Sequence, residues 1–243
     1  MNHNKRVLVF GAGAIGGVVG AWIAEKYNDL YFYDLPAVRD SLDKNGITSY
    51  LQDHKKGGVN VKVNTISDLV ELPNPDVIIL AVKNYSLDKA SSIIRETVKG
   101  EPVVVALQNG QENQQVLPKY FQRVVYGVVG FNAWLDETGV IGYQNKGPIV
   151  IGTPDNSLKT ELREISELFN LGVETIVTDH LHDAVHTKMI VNLTNSLTTL
   201  IGHSVKEITD VRIFQRLLTN LTYEGVKIVK AAGYRECKIG NIF

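Results

Sequence analysis

Two stretches of this sequence hold residue types whose spacing could do chemistry. The first is Gly11-Ala12-Gly13-Ala14-Ile15-Gly16-Gly17, which follows the apolar run Val7 to Phe10 directly. A strand that ends in G-x-G-x-x-G and turns into a helix lets backbone approach a pyrophosphate, with the helix N-terminal amides and dipole facing the charge. Gly11 permits the tight turn, Gly13 removes a side chain that would strike phosphate, and Gly16 lets helix and strand pack closely. The second stretch runs from Lys188 to Thr199. At about 100° per residue, Lys188, Asn192 and Asn195 fall within roughly 60° of one another on a helix, with Thr199 on the same line. Met189, Ile190, Leu193 and Leu197 flank them. Burying an amine and amides without partners costs on the order of several kcal/mol, so something polar should meet this stripe. A bound substrate would do so; so would a snorkelling lysine with asparagines bonded to a neighbouring helix.

The elements around the glycine stretch fit a dinucleotide site. A helix is expected over Val18 to Glu25, then a strand over Leu30 to Tyr33 that ends in Asp34. Val7 to Ala24 is also eighteen residues without a charge, long enough for a membrane span, but it contains five glycines and a second strand follows. A soluble nucleotide-binding unit is the better reading. Asp34 stands where a carboxylate meets the free 2'-hydroxyl of NADH and repels the 2'-phosphate of NADPH, whereas Arg39 is near enough in sequence to offset it.

Further along, an irregular region follows Leu35-Pro36-Ala37-Val38-Arg39, and Val59 to Val63 alternates like an edge strand. Val77 to Val82, Val103 to Leu107 and Val124 to Val129 are continuous apolar runs of the kind buried on both faces of a parallel sheet. Helices over Ser86 to Val98 and Gln111 to Tyr120 separate them. This alternation implies a parallel sheet wound by right-handed crossovers, with ligands beyond the carboxyl ends of the strands. The groups to inspect are therefore Gly11 to Gly16, Asp34, Lys83-Asn84-Tyr85 and Gln108-Asn109-Gly110. Val140 to Tyr143 and Ile149 to Ile151 read as a hairpin covering the sheet, before a helix over Leu158 to Leu171 and a strand over Val173 to Val177. The remainder is helical, with Leu181 to Ile201 and Val211 to Ala232 as its long pieces. The expected class is α/β: a Rossmann domain with a doubly wound, mostly parallel sheet over residues 1–178, then an all-helical domain over 179–243.

Composition narrows the partners. A chain of 243 residues, 44% hydrophobic and 21% charged, has ample core for one large or two modest domains. A formal charge of -1 gives no broad attraction for nucleic acid or an anionic membrane. The single cysteine, Cys237, excludes an internal disulfide and a cysteine-rich metal site, which fits a reducing cytoplasm. Basic residues before the first apolar run imitate a signal peptide, but that run is better used as the first strand, so no targeting segment is expected.

With these pieces in order, the sequence resembles the ketopantoate reductase (2-dehydropantoate 2-reductase) family, which reduces ketopantoate to pantoate with NADPH in pantothenate biosynthesis. The resemblance is carried by Gly11 to Gly17, Ala81-Val82-Lys83-Asn84-Tyr85, Leu107-Gln108-Asn109-Gly110, Gly147-Pro148-Ile149-Val150-Ile151-Gly152 and the helix of Lys188 and Asn192. It implies Lys188 as general acid, Asn109 and Asn192 as substrate-holding groups, and Lys83 beside the cofactor, where Asn109 also lies. Asn195 stands one helical position from a second family asparagine. Chemically, a hydride attacking a ketone carbon drives negative charge onto oxygen, and an ammonium can both stabilise that charge and donate the proton. The resemblance implies a small 2-oxo acid as substrate and NADPH as cofactor against the NADH favoured by Asp34. The oligomeric state is not readable from the sequence, although helical second domains of this sort often pair, which leaves a homodimer open. The family also continues past the position of Phe243 with a serine and an acidic residue that touch substrate, so the helical domain is expected to be incomplete at its C-terminus.

Other readings stay open at this point. A dehydrogenase of another 2-oxo or 3-hydroxy acid, or a non-catalytic dinucleotide sensor, would use the same glycine loop. His182 and His186 share a helical face beside His180, Asp179 and Asp183, but the zinc-site arrangement H-E-x-x-H is missing, and solvated or capping histidines are the expectation. Glu224 is expected to be exposed, and Trp22 and Trp134 to serve in the core or its cover.

Overall fold

The computed structural model of the chain describes residues 5–200 and 210–237. The chain divides into two compact units, Met1–Leu181 and His182–Phe243.

In the first unit, β1 (Val7–Phe10) leads into α1 (Ala14–Ala24), β2 (Leu30–Tyr33), α2 (Pro36–Asn45), β3 (Ile47–Leu51), β4 (Val59–Val61) and β5 (Asn64–Thr65). Then come β6 (Val77–Leu80), α3 (Leu87–Thr97), β7 (Val103–Ala106), α4 (Glu112–Val116), β8 (Val124–Val129), β9 (Ala133–Glu137) and β10 (Val140–Tyr143). The unit ends with β11 (Ile149–Gly152), α5 (Lys159–Phe169) and β12 (Thr175–Val177). The main sheet has eight strands in the order β12-β11-β8-β7-β6-β1-β2-β5. Pairing is parallel from β5 through β8, and β11 joins β8 antiparallel. β1, β6, β7 and β8 are buried along their whole length, as strands covered on both faces must be. Fully burying a side chain such as Leu8, Ile79 or Val105 contributes about 1.5–3 kcal/mol. The chain leaves β1 for β2 on one side and returns to β6 on the other. The strand order therefore reverses between β1 and β6, which places the ligand-binding crevice at their carboxyl ends.

A second sheet of four strands, β4-β3-β10-β9, corrects two expectations. Val140 to Tyr143 does not form a hairpin with Ile149 to Ile151. Instead β10 turns back on β9 at Gly139, whose φ is +80°, and also pairs with β3. β11, buried at every position, belongs in the interior of the main sheet, where an outer hairpin strand could not supply its cover. The region after Asp34 is likewise not irregular: it holds α2 and β3. Pro36 opens α2 at a position where no donor is lost, but only Leu42 of the helix is buried, so its apolar stripe is too thin to show as a period. The edge-strand reading of Val59 to Val63 corresponds to β4, which pairs only with β3.

Two helix limits also differ. α1 starts at Ala14 rather than Val18, because the glycine loop passes into the helix without an intervening turn. The expected helix from Gln111 to Tyr120 breaks after Val116 into a short 3-10 turn, Leu117–Lys119, where Pro118 lacks the N–H that a continuing helix needs. Trp22 sits in the core against Phe131 and Tyr143, and the half-buried Trp134 lies over Gly142 with its indole N–H donated to the Tyr50 hydroxyl at 3.2 Å.

The second unit contains α6 (Leu181–Leu200) and α7 (Val211–Ala231). Ile201, the expected end of the first long helix, lies outside the described residues. Asp210 caps α7 by accepting from the Ile213 N–H at 3.0 Å. Gly225 lets α7 approach Leu193 and Ile190 of α6, and beyond α7 the N–H groups of Arg235 and Cys237 donate to Asp183 and Thr187 near the start of α6. The two helices are therefore antiparallel. α7 turns Phe214, Leu218, Leu221 and Val229 inward and leaves Ile213, Leu217, Ile228 and Glu224 exposed.

Candidate functional site

The loop after β1 is shaped by what surrounds it. Gly11 has φ +101°, a conformation that side chains resist, and it lies against Ala81 and Val82 at the exit of β6. A Cβ on Gly16 would stand 2.0 Å from the Gly11 carbonyl oxygen and 2.7 Å from the Ala81 Cβ, so only glycine lets α1 sit this close to β1 and β6. Gly13 differs. Its φ of -69° suits any residue, and a Cβ there would meet nothing within 4 Å. Neither conformation nor packing inside the protein requires glycine at this position, whereas a bound phosphate group would.

The N-terminus of α1 completes this cradle. No side chain caps it, and no acidic residue stands in its first turn. Its first backbone N–H groups and the positive end of the helix dipole thus face the loop without a capping side chain, as an anion site requires. Ala14 and Ile15 are half-buried, Ala12 is buried and Gly13 is exposed. These residues fit the diphosphate of a dinucleotide.

Asp34, at the end of β2, is tied to the same loop. One carboxylate oxygen accepts from the Ala12 N–H at 2.6 Å and the other from the Leu35 N–H at 2.7 Å. Arg39, on the first turns of α2, gives its Nε and one terminal nitrogen to Asp40 at 3.1 and 2.7 Å, and this carboxylate holds the guanidinium pKa above its usual range.

Lys83 and Asn109 are exposed on the turns that leave β6 and β7. The two turns are bound to each other: Asn84 Nδ2 donates to the Asn109 carbonyl at 3.1 Å, and Gln108 Nε2 donates to the carbonyls of Leu80 and Val82 at 2.8 and 3.1 Å. The sequence placed Asn84 and Gln108 among the residues to inspect, but its reading gave neither a role. Their signal was an amide directly after each strand.

In the second unit, burial falls along the polar stripe of α6. Lys188 is only 7% exposed, Asn192 is half-buried, and Asn195 and Thr199 are exposed. The far end of the stripe is thus a solvent face. No described residue gives Lys188 Nζ a hydrogen bond or ion pair, and burial pushes its pKa below the ordinary lysine value. His186 stacks on Tyr234 with ring centroids 3.8 Å apart, and its Nδ1 lies 2.7 Å from the His182 carbonyl. Among the described residues no three His, Cys, Asp or Glu groups converge as metal ligands. No helix among them is long and apolar enough to cross a membrane.

Comparison with known proteins assigns this architecture. Residues 7–156 match the family described as ketopantoate reductase PanE/ApbA. The chain belongs to the ketopantoate reductase family. Among curated relatives, the 2-dehydropantoate 2-reductase of Pyrococcus horikoshii is 28% identical over 233 residues, covering 95% of this chain and 75% of that protein. Among solved structures, the 2-dehydropantoate 2-reductase of Geobacter metallireducens superposes with a TM-score of 0.82 at 23% identity, over 98% of this chain and 78% of the other. A D-mandelate dehydrogenase solved with NADH and anilino(oxo)acetate gives a TM-score of 0.80 at 19% identity, over 96% of this chain and 76% of the other. These likenesses bear out the α/β class with a Rossmann-type domain and a helical region, and membership of the ketopantoate reductase family makes the chain an oxidoreductase.

Proposed function

We propose that this chain reduces ketopantoate to pantoate, with Lys188 as general acid and NADH preferred over NADPH. The observation that carries the reading is Lys188, a lysine only 7% exposed that makes no hydrogen bond or ion pair with any described residue, in a chain of this family. Burial leaves this amine partly desolvated, and a carbonyl oxygen gaining negative charge is a fitting partner. Bound NADH would supply the hydride. Lys188 would hold the proton at Nζ and donate it to the substrate oxygen, Asn109 and Asn192 would orient the 2-oxo acid, and the exposed Asn195 would contribute least. Gly11, Ala12, Gly13, Ala14, Ile15 and Gly16 would bind diphosphate, and Lys83 would lie beside it.

Two observations support NADH. Asp34 keeps a carboxylate at the end of β2, and Arg39, the cation that could offset it, is already engaged by Asp40. The likeness to D-mandelate dehydrogenase favours a second reading, in which the substrate is a bulkier or aromatic 2-oxo acid. Pairing of two copies through the second unit is supported by the apolar residues that α7 leaves exposed, and light scattering would read it directly. The deciding assay follows NADH and NADPH absorbance with ketopantoate and with phenylglyoxylate, the 2-oxo acid of mandelate. Turnover faster with ketopantoate and NADH is expected. Preference for phenylglyoxylate would select the second reading, and cofactor binding without turnover on any 2-oxo acid would leave a dinucleotide sensor.

A further inference from the structure

At the exits of β6 and β7 the main chains part, and the ladder of backbone hydrogen bonds stops with Leu107 N–H donating to Leu80 carbonyl at 3.2 Å. Beyond that point side-chain amides take over in both directions. Gln108, on the β7 exit, spans two carbonyls of the β6 exit, Leu80 and Val82. Asn84, on the β6 exit, reaches the carbonyl of Asn109 on the β7 exit. Gln108 is 8% exposed, and its two acceptors fix which end of the amide points where, leaving Oε1 buried with no partner. Asn84 Oδ1 is buried and unpartnered as well. Leucine or methionine would fill the same space but would take away the donors that the Val82 and Asn109 carbonyls accept from, so the amides keep the exits bonded while their own oxygens stay unpartnered. Beyond filling space, the amides supply a fixed relation between the two exits.

We propose that Gln108 and Asn84 form a reciprocal clasp that positions Lys83 and Asn109 for the dinucleotide, and that they are positioning residues rather than catalytic ones. Each amide is adjacent in sequence to an exposed group it would aim: Asn84 to Lys83, and Gln108 to Asn109. The clasp also fixes Val82, whose Cγ1 would lie 3.1 Å from a Cβ on Gly11, so it bears on the glycine loop from the β6 side. This inference rests on the dinucleotide part of the proposed function and not on the choice of 2-oxo acid.

The test titrates NADH against the intact chain by fluorescence, with folded fraction and thermal midpoint measured alongside. Gln108→Met keeps the volume and loses both donors; Asn84→Leu keeps the approximate size, adds no charge and loses its one donor. Loss of one or two net hydrogen bonds predicts a Kd raised roughly five- to thirtyfold by the first and roughly three- to tenfold by the second. In the double variant the combined effect should fall short of the product, because both bonds hold the same pair of turns. Kd unchanged in folded Gln108→Met, a lowered thermal midpoint with unchanged Kd, or fully multiplicative effects would each overturn the clasp. If Gln108→Met does not fold, Asn84→Leu carries the test: a raised Kd supports the clasp and an unchanged one overturns it. Since binding is read without substrate, failure of every 2-oxo acid in the turnover assay leaves this result unaffected.

Discussion

Asp34 and Ala12 are joined across the mouth of the glycine loop by a hydrogen bond of 2.6 Å from the Ala12 N–H to the carboxylate. The residue read from sequence as a ribose ligand is thus also an anchor of the glycine loop. Hydrogen bonds to a charged group are worth about 1.5–3 kcal/mol, so Asp34→Ala should weaken NADH binding by roughly ten- to a hundredfold. NADPH should lose less, because the same change removes repulsion of its 2'-phosphate. Equal losses for both cofactors, measured as Kd, would confine Asp34 to its anchoring role.

Gly13 and Gly16 should separate ligand binding from folding. Gly13→Ala places its Cβ in open space and should cost no more than about 1 kcal/mol at this helix N-cap, yet sharply reduce dinucleotide affinity. Gly16→Ala drives a Cβ into the Gly11 carbonyl and should cost roughly 1–3 kcal/mol or more. Denaturant melts and NADH titrations on the two variants check the contrast.

For Lys188 the pH dependence has a definite sign. Burial lowers its pKa, so the ammonium needed for proton donation should be lost, and kcat should fall, as pH rises through a value below that of an ordinary lysine. The unfolded chain binds the proton more tightly than the folded one. Stability should therefore rise with pH across the window from the lowered pKa to the ordinary value. Lys188→Met should remove that pH dependence and lower kcat by roughly 10²–10⁴ while leaving NADH affinity near normal. A variant with near-normal turnover would dismiss Lys188 as the acid.

Asp40 should act as a silent determinant of cofactor choice. Asp40→Asn releases the Arg39 guanidinium and is expected to raise the NADPH to NADH ratio of kcat/KM several-fold at low salt. The effect should shrink as ionic strength rises, since the pair is exposed and screened. A ratio insensitive to the substitution would place Arg39 out of reach of the 2'-position.

The glycine loop, β1 and the apolar strands β6, β7 and β8 were legible in the sequence because their constraints are local. Positive φ at Gly11 and double-faced burial each select residue types at fixed spacing. The polar stripe on α6 was legible for the same reason, as helical period alone aligns Lys188, Asn192 and Asn195. The second sheet was not. Its strands β3, β4, β9 and β10 come from segments more than seventy residues apart, from Val61 to Ala133, and adjacency in sequence suggested the wrong partner for β10. Nor could the sequence say that Lys188 is buried while Asn195 is exposed, that Asp34 holds Ala12, or that Arg39 is engaged by Asp40. Residue type states which bonds a side chain is able to make. Which of them it makes depends on neighbours that only the folded chain brings within 3 Å or so, and at this site those neighbours decide the charge, the shape of the cradle and the cofactor it should prefer.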